Sequence, residues 1–331
     1  MKTIIFGGAG FIGSKIAEKL LNENSHEEVV IVDNLFRGRK DQFFNSIIKK
    51  ENCTFINLDL TDQEAYSKLP STFDRAYLLA SVVGVEYTLQ MPFKLIEINT
   101  KIIMNTLNWL KEASVNKVLF TSTSECYANT IDNLNGKIPT DELVALSIGD
   151  IFEPRFTYAL TKMLGESSLY HFCNDKEIDF TIVRYHNVYG PRMGFKHVIP
   201  QVVTRFINGE DPFTIFGAQQ TRSFNFIDDA VQGTILAMNT PNVSSEIFHI
   251  GDEKAEISIE SLVKFIGSQL NFNGQYIDGP IHQGSVHRRC PNTQKAKELL
   301  NYSPQVSWQD GVKITIDWYK QYLSSKGDIY E

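Results

Sequence analysis

The stretch IIFGGAGFIGSKIAEKL, residues 4–20, is an apolar run, a glycine turn and an amphipathic pattern in immediate succession. That order predicts a strand, a tight turn and a helix. The spacing Gly7-x-x-Gly10-x-x-Gly13 narrows it further. Gly7 permits the turn, Gly10 lets the backbone approach a pyrophosphate, and Gly13 lets the helix pack close to the sheet; the helix N-terminus favours the ligand's charge. The next strand-like run, VVIVDN, ends in Asp33, where a carboxylate is expected to grip an adenosine ribose. A carboxylate there repels a 2′-phosphate, so NAD(H) is expected over NADP(H), with Arg37 and Arg39 nearby pulling the other way. In NLDLTD, Asp59 reads either as a contact to the adenine end or as a turn residue.

The first half alternates strand-like runs (Thr3–Phe6, Val29–Val32, Thr54–Leu58, Ala76–Leu79, Lys117–Thr121, Phe180–Arg184) with helical patterns such as Ser14–Asn22 and Ile96–Ala113. This predicts an α/β fold: a doubly wound parallel sheet of the Rossmann kind, covered by helices on both faces. The second half is more irregular and punctuated by prolines from Pro191 to Pro304. A dinucleotide-binding domain over residues 1–190 and a smaller substrate-binding lobe over 191–331 are expected, with later segments free to return to the first. The net charge of −7 argues against a nucleic-acid partner, and no apolar run is long enough for a membrane span. MKTIIF reads as a first strand and not a signal peptide. The four cysteines, Cys53, Cys126, Cys173 and Cys290, are scattered without a CxxC pair, so neither disulfides nor a metal site is expected and a reducing cytoplasm is the natural setting.

The run KVLFTSTSECYANT, residues 117–130, turns from apolar strand to four hydroxyls and a carboxylate: Thr121, Ser122, Thr123, Ser124 and Glu125. Ligands of doubly wound sheets lie outside the carboxyl ends of the strands, so these groups are expected at the cofactor crevice. Further on, PRFTYALTKMLGES places Tyr158 and Lys162 on one face of a helix at i, i+4. An ammonium beside a phenol stabilises phenolate and makes a general base.

Taken in order, these motifs resemble the extended short-chain dehydrogenase/reductases of the nucleotide-sugar epimerase, dehydratase and decarboxylase group. The likeness runs from GGAGFIGS to RRCPNTQKAKELLNYSP. LLASVVGVEYT resembles the family's segment beside the nicotinamide, and Asn99 in EINT its buried asparagine. VRYHNVYGPRMG resembles the entry to its substrate loop, with Asn187 near the sugar diphosphate. QQTRSFNFIDDA resembles its R-x-F-x-x-x-x-D segment, which implies Arg222 on the nucleotide phosphates; Arg289 in HRRCPN takes a corresponding role. The resemblance implies cofactor contacts from Gly7, Gly10, Phe11, Ile12, Gly13, Asp33, Asn34, Asp59, Leu60, Leu79, Ala80, Asn99, Tyr158 and Lys162. It also implies a homodimer built on a four-helix interface, here the Ile96–Ala113 helix and the helix carrying Tyr158.

The chemistry implied begins with Tyr158 removing a hydroxyl proton as the C4 hydride passes to NAD, with Thr123 bonded to the same oxygen. Simple epimerases generally lack an acid at the position of Glu125. The 4,6-dehydratases have one, and the UDP-glucuronate decarboxylases carry Ser-Thr-Ser-Glu, matched here by Ser122 to Glu125. Pro154–Arg155 also resembles the decarboxylases. A nucleotide-sugar enzyme working through a 4-keto intermediate is therefore expected, with decarboxylase-like or dehydratase-like chemistry ahead of 4-epimerisation. A catalytically silent NAD(H)-binding regulator is the alternative of another class. Four features depart from the family pattern: Phe6 before the glycines, Leu78 in place of a common histidine, Ala128 after Tyr127, and the long segment 129–153.

Overall fold

The computed structural model describes residues 1–281 and 286–325; residues 326–331, assigned to the second lobe from sequence, lie outside the described residues. Two compact units are present: Met1–Cys126, Asp150–Arg184 and Val231–Phe248 form the first, and Tyr127–Gly149, Tyr185–Ala230 and the described part of His249–Glu331 form the second.

The first unit is built on β1 (Lys2–Phe6), β2 (Glu28–Asp33), β3 (Cys53–Asn57), β4 (Thr72–Leu78), β5 (Ser114–Thr123) and β6 (Asp179–Tyr185). With Glu246–Ile250 they make a seven-stranded parallel sheet in the order Glu246–Ile250, β6, β5, β4, β1, β2, β3. Val and Ile fill the middle of β2 (EVVIVD), and β1 (KTIIF) ends in an apolar run, because helices cover both faces and leave little solvent-facing side to make polar. All the strand-like runs become strands, with ends shifted by a few residues. The seventh strand, EIFHI, carries no apolar run long enough to stand out, and its place in the sheet comes from tertiary pairing.

The strand order reverses between β1 and β4, so this is where a ligand crevice is expected. Phe6 pairs with Val32 on one side and Leu78 on the other, which brings the loops after β1, β2 and β4 to one edge. The connecting helices are α1 (Phe11–Glu23), α2 (Gln42–Ile48), α3 (Val85–Gln90), α4 (Pro92–Leu110), α5 (Ala128–Asn133, in the second unit) and α6 (Phe156–Lys176). Pro92 at the first turn of α4 suits a position whose N–H has no helical partner. In α6, Gly165 is required by close approach: a Cβ there would overlap the Phe120 ring and come within 3.1 Å of Ile103 Cδ1. The missing side chain lets the helix bearing Tyr158 and Lys162 settle onto the strand bearing Thr123.

In the second unit, Thr221–Ser223 is flanked by Glu256–Ser258 and Arg288–Arg289 in a three-stranded sheet. Its apolar centre includes Phe206 stacked on Phe213 with ring centroids 3.8 Å apart, and Phe272 and Tyr276 against them. Asp229, the acid of the R-x-F-x-x-x-x-D segment, accepts from the amides of Gln305 (2.9 Å) and Val306 (3.0 Å), so it fixes backbone ahead of the Trp308–Ser324 helix.

Candidate active site

At the end of β1 the chain turns at Gly7, whose φ of +83° is a conformation side chains disfavour. A Cβ on Gly7 would lie 2.6 Å from the Ala80 amide nitrogen, and one on Gly13 would run into the Gly7 carbonyl. Both are therefore held to glycine by the tight turn itself. The first turn of α1 has no acidic side chain, so its free N–H groups present unopposed positive charge. Asp33 is buried at the end of β2, with Oδ2 accepting from the Ala9 amide (3.1 Å) and Oδ1 from the Leu35 amide (2.7 Å). Burial pushes its carboxyl above the ordinary value and the two amide bonds pull back. A cradle closed to any Cβ, an open helix N-terminus and a carboxylate one strand away fit an adenine dinucleotide. Asp59 accepts from the amide (2.9 Å) and hydroxyl (2.8 Å) of Thr61, and so makes a turn at the end of β3.

Asn99, buried in α4, grips one residue from both sides. Its Oδ1 accepts from the Val82 amide at 2.7 Å, and its Nδ2 donates to the Val82 carbonyl at 3.0 Å and to Thr161 Oγ1 at 3.2 Å. It thus ties the loop after β4, which follows Leu79 and Ala80, to α4 and α6. Arg37 does not turn back toward the Asp33 carboxylate. Its guanidinium donates to the Val83 carbonyl and lies over the Tyr87 ring.

The hydroxyl run at the end of β5 divides into two sets. Thr121 Oγ1 donates to the Leu78 carbonyl at 3.2 Å and Ser122 Oγ meets Cys126 Sγ at 3.9 Å, so both serve the fold. Thr123 and Glu125 are half-exposed, Ser124 is buried, and the Glu125 amide donates to Thr123 Oγ1 at 3.2 Å. Lys162 is buried, donates to the Thr121 carbonyl at 2.7 Å, and stands over the rings of Phe120 and Tyr158, 4.8 and 5.8 Å from their centroids. Burial pulls its ammonium down to about 8, although Cys126 and Glu166 favour the charge. Burial also pushes the Tyr158 phenol well above its ordinary value; Cys126 and Glu125 push the same way and Arg37 opposes them. The lowering expected from the Tyr–Lys spacing is therefore not what this environment gives, because desolvation of the phenolate, helped by Cys126 and Glu125, outweighs the opposing pull of Arg37. A positively charged nicotinamide ring beside the phenol would supply the missing stabilisation.

Within the second unit, Arg222 and Arg289 are buried neighbours in register. Arg222 Nη1 donates to the Thr221 carbonyl at 2.7 Å. Asn187 donates to the Ser223 carbonyl at 3.2 Å, which links the VRYHNVYGP segment to the same strand. The first part of the long segment packs here as well. Thr140 donates to the Cys290 carbonyl (2.9 Å) and accepts from the Asn292 amide (2.8 Å), and Asp141 accepts from Asn292 Nδ2 (2.6 Å). Glu142 accepts from the His249 amide (2.9 Å), and His249 Nε2 meets the Tyr127 hydroxyl at 2.7 Å. Glu142 and His249 were not singled out by sequence reasoning. Neither sits in a short motif, and their partners are remote along the chain.

A model of the NAD dependent epimerase/dehydratase family matches residues 3–251. The chain belongs to that family. It is an NAD-dependent enzyme of the group, which contains lyases and isomerases alike. It is 32% identical to the UDP-N-acetyl-alpha-D-glucosaminuronate decarboxylase of Bacillus cytotoxicus, over 97% of this chain and 98% of the relative. It is 30% identical to the UDP-glucuronate 4-epimerase of Thermodesulfobacterium geofontis, over 97% and 96%. Among solved structures, the UDP-glucuronic acid 4-epimerase of Bacillus cereus, in complex with UDP-glucuronic acid and NAD, superposes with a TM-score of 0.82. Identity there is 27%, covering 97% of this chain and 99% of that one. Among the described residues no helix is long and apolar enough to cross a membrane, and the four cysteines are free.

Asp33 gives this family member a testable cofactor preference. Titration is expected to show NADH binding more tightly than NADPH, because a 2′-phosphate would meet the Asp33 carboxylate. Replacement of Asp33 by Ser is expected to narrow or reverse the difference; tighter binding of NADPH by the unaltered protein would refute the assignment.

Proposed function

We propose that the chain decarboxylates a UDP-linked hexuronic acid through a 4-keto intermediate. The observation that carries this is Glu125, two residues beyond Thr123 and hydrogen-bonded through its amide to the Thr123 hydroxyl. The reading is supported by the relatives, two of which are described as acting on UDP-linked uronic acids while the solved one holds UDP-glucuronic acid. Bound NAD supplies the acceptor that takes the C4 hydride and later returns it. Tyr158 takes the proton of the C4 hydroxyl, Thr123 holds the same oxygen, and Lys162, anchored on the Thr121 carbonyl, keeps a positive charge behind the phenol ring. Oxidation at C4 makes the sugar a β-keto acid. The C5–C6 bond then breaks, CO2 leaves, and its electron pair passes into the ketone as an enolate. Glu125, as the protonated acid, gives a proton to C5, and Tyr158 returns its proton to O4 as the hydride comes back. Asn187, Arg222 and Arg289 are assigned to the sugar diphosphate.

Incubation with UDP-, GDP-, dTDP- and CDP-sugars followed by mass spectrometry tests this. Loss of CO2 from a UDP-uronate is expected. Loss of water would assign a dehydratase, and an unchanged mass with altered stereochemistry an epimerase. The 4-epimerase is the second reading, favoured by the epimerase relatives. A silent NAD(H)-binding regulator has no need of Tyr158, Lys162 and Thr123 together.

A homodimer through α4 and α6 belongs to the same reading. Ile103 and Leu107 are buried within the unit, whereas Met104, Leu160 and Leu164 are 44%, 42% and 40% exposed. Light scattering at micromolar concentration is expected to give twice the mass of the chain, falling to one chain in Leu160→Asp/Leu164→Asp; a monomeric unaltered protein would exclude this interface.

A further inference from the structure

The loop after β2 and the loop after β4 leave the sheet on either side of β1, so they flank the glycine turn. The β2 loop lies directly on that turn. A Cβ on Gly38 would stand 2.7 Å from the Ala9 Cβ, and Asp33 at the loop's start already holds the Ala9 amide. From this loop Arg37 reaches the carbonyl of Val83 in the β4 loop and stacks over Tyr87, with Phe36 against the same ring at 6.1 Å between centroids. A side chain joining the two flanking loops bridges the glycine turn between them, beside the N-terminus of α1 on which a pyrophosphate would rest.

The charge at this crossing is unbalanced. Arg37 is half-buried, and among the described residues no carboxylate pairs with it. One of its five N–H donors is spent on Val83, and the others remain for an anion. Its anchor is rigid, since Asn99 holds the preceding residue, Val82, through both amide and carbonyl. Burial pulls the guanidinium below its ordinary value, the direction expected of a cation without a counter-charge.

We propose that Arg37 is a cofactor-binding residue that closes over the pyrophosphate of the dinucleotide and retains it on the enzyme. Retention suits a reaction that returns its hydride to the same sugar, and in that respect the inference rests on the function proposed above. Its chemistry is a charge-assisted bond from a guanidinium to a diphosphate, held in place by Val83 and Tyr87.

The test compares the unaltered protein with Arg37→Ala and Arg37→Lys. NADH release is followed by stopped-flow fluorescence on displacement with excess NAD. Arg37→Ala is expected to release NADH about tenfold to a hundredfold faster, with Arg37→Lys between. Equilibrium binding of ADP-ribose is expected to weaken by a similar factor, whereas AMP, which lacks the diphosphate, weakens less than about threefold. Release within about twofold of the unaltered rate would overturn the proposal. So would equal losses for AMP and ADP-ribose, which would mean that the loop had simply collapsed onto the adenosine site. If Arg37→Ala does not fold, as judged by circular dichroism, Arg37→Gln gives the same readout with the side-chain volume largely kept. An unaltered protein that binds NADH but converts no UDP-uronate would defeat the proposed reaction and leave this measurement standing.

Discussion

Tyr158→Phe is expected to abolish both NADH formation and product, whereas Glu125→Gln is expected to keep the first and lose the second. In the proposed reaction the phenol is the base for the C4 hydroxyl, so without it no hydride leaves. Burial holds the phenol above its ordinary value, and Lys162 stands over its ring. In the same proposal Glu125 acts after oxidation, so its amide analogue still permits hydride transfer. NADH absorbance should rise and persist, or C4-deuterated substrate should label the cofactor, while the final, re-reduced product falls by about a hundredfold to ten-thousandfold, the usual contribution of a general acid or base. Single-turnover absorbance and product mass on the same samples separate the two patterns. Near-normal turnover in Glu125→Gln would mean that the side chain serves only the turn that begins at Ser124, and the epimerase reading would then come first.

Glu166→Ala is expected to cost about 3–5 kcal/mol of folding stability, a large share of the roughly 5–15 kcal/mol that holds such a domain together. Glu166 lies one turn beyond Lys162 in α6. It receives Arg184 Nε at 2.9 Å and Nη2 at 2.6 Å, and the two side chains are only 7% and 3% exposed. The pair is bidentate, and deleting one partner leaves a buried guanidinium without its anion. Replacing both, as Glu166→Leu/Arg184→Met, is expected to recover most of the loss, since no charge is then left uncompensated. Denaturant unfolding of the two single variants and the double variant closes the cycle. A change under about 1 kcal/mol in Glu166→Ala would put the pair on the footing of an exposed ion pair and refute this account.

The candidate site was legible in sequence wherever its geometry is local. A glycine every third residue after an apolar run specifies a turn and a helix entry without reference to the rest of the chain, and Asp33 follows at the end of the next strand. Tyr158 and Lys162 share a helix face because helical periodicity puts them there, and α6 indeed spans both. The strand runs were recognisable because strands buried on both faces need uninterrupted apolar side chains.

Other features depend on residues far apart meeting. Glu142 receives the His249 amide from 107 positions away, and Arg222 gains Arg289 as its neighbour only through the pairing of two short strands. The strand Glu246–Ile250 joins the sheet by such pairing and not by any strong pattern of its own. The same division runs through the chemistry. Spacing along the chain was enough to pick out the titratable groups of the candidate site: a phenol, a lysine, a carboxylate and their hydroxyl neighbours. Their electrostatics and their ties came from packing, which raises the Tyr158 phenol, draws Lys162 down to about 8 and sends Arg37 to Val83 instead of Asp33. The reason is physical: spacing along a chain fixes which side chains share a face, whereas burial and long-range contact, which set pKa and partner alike, exist only after the sheet has closed over them.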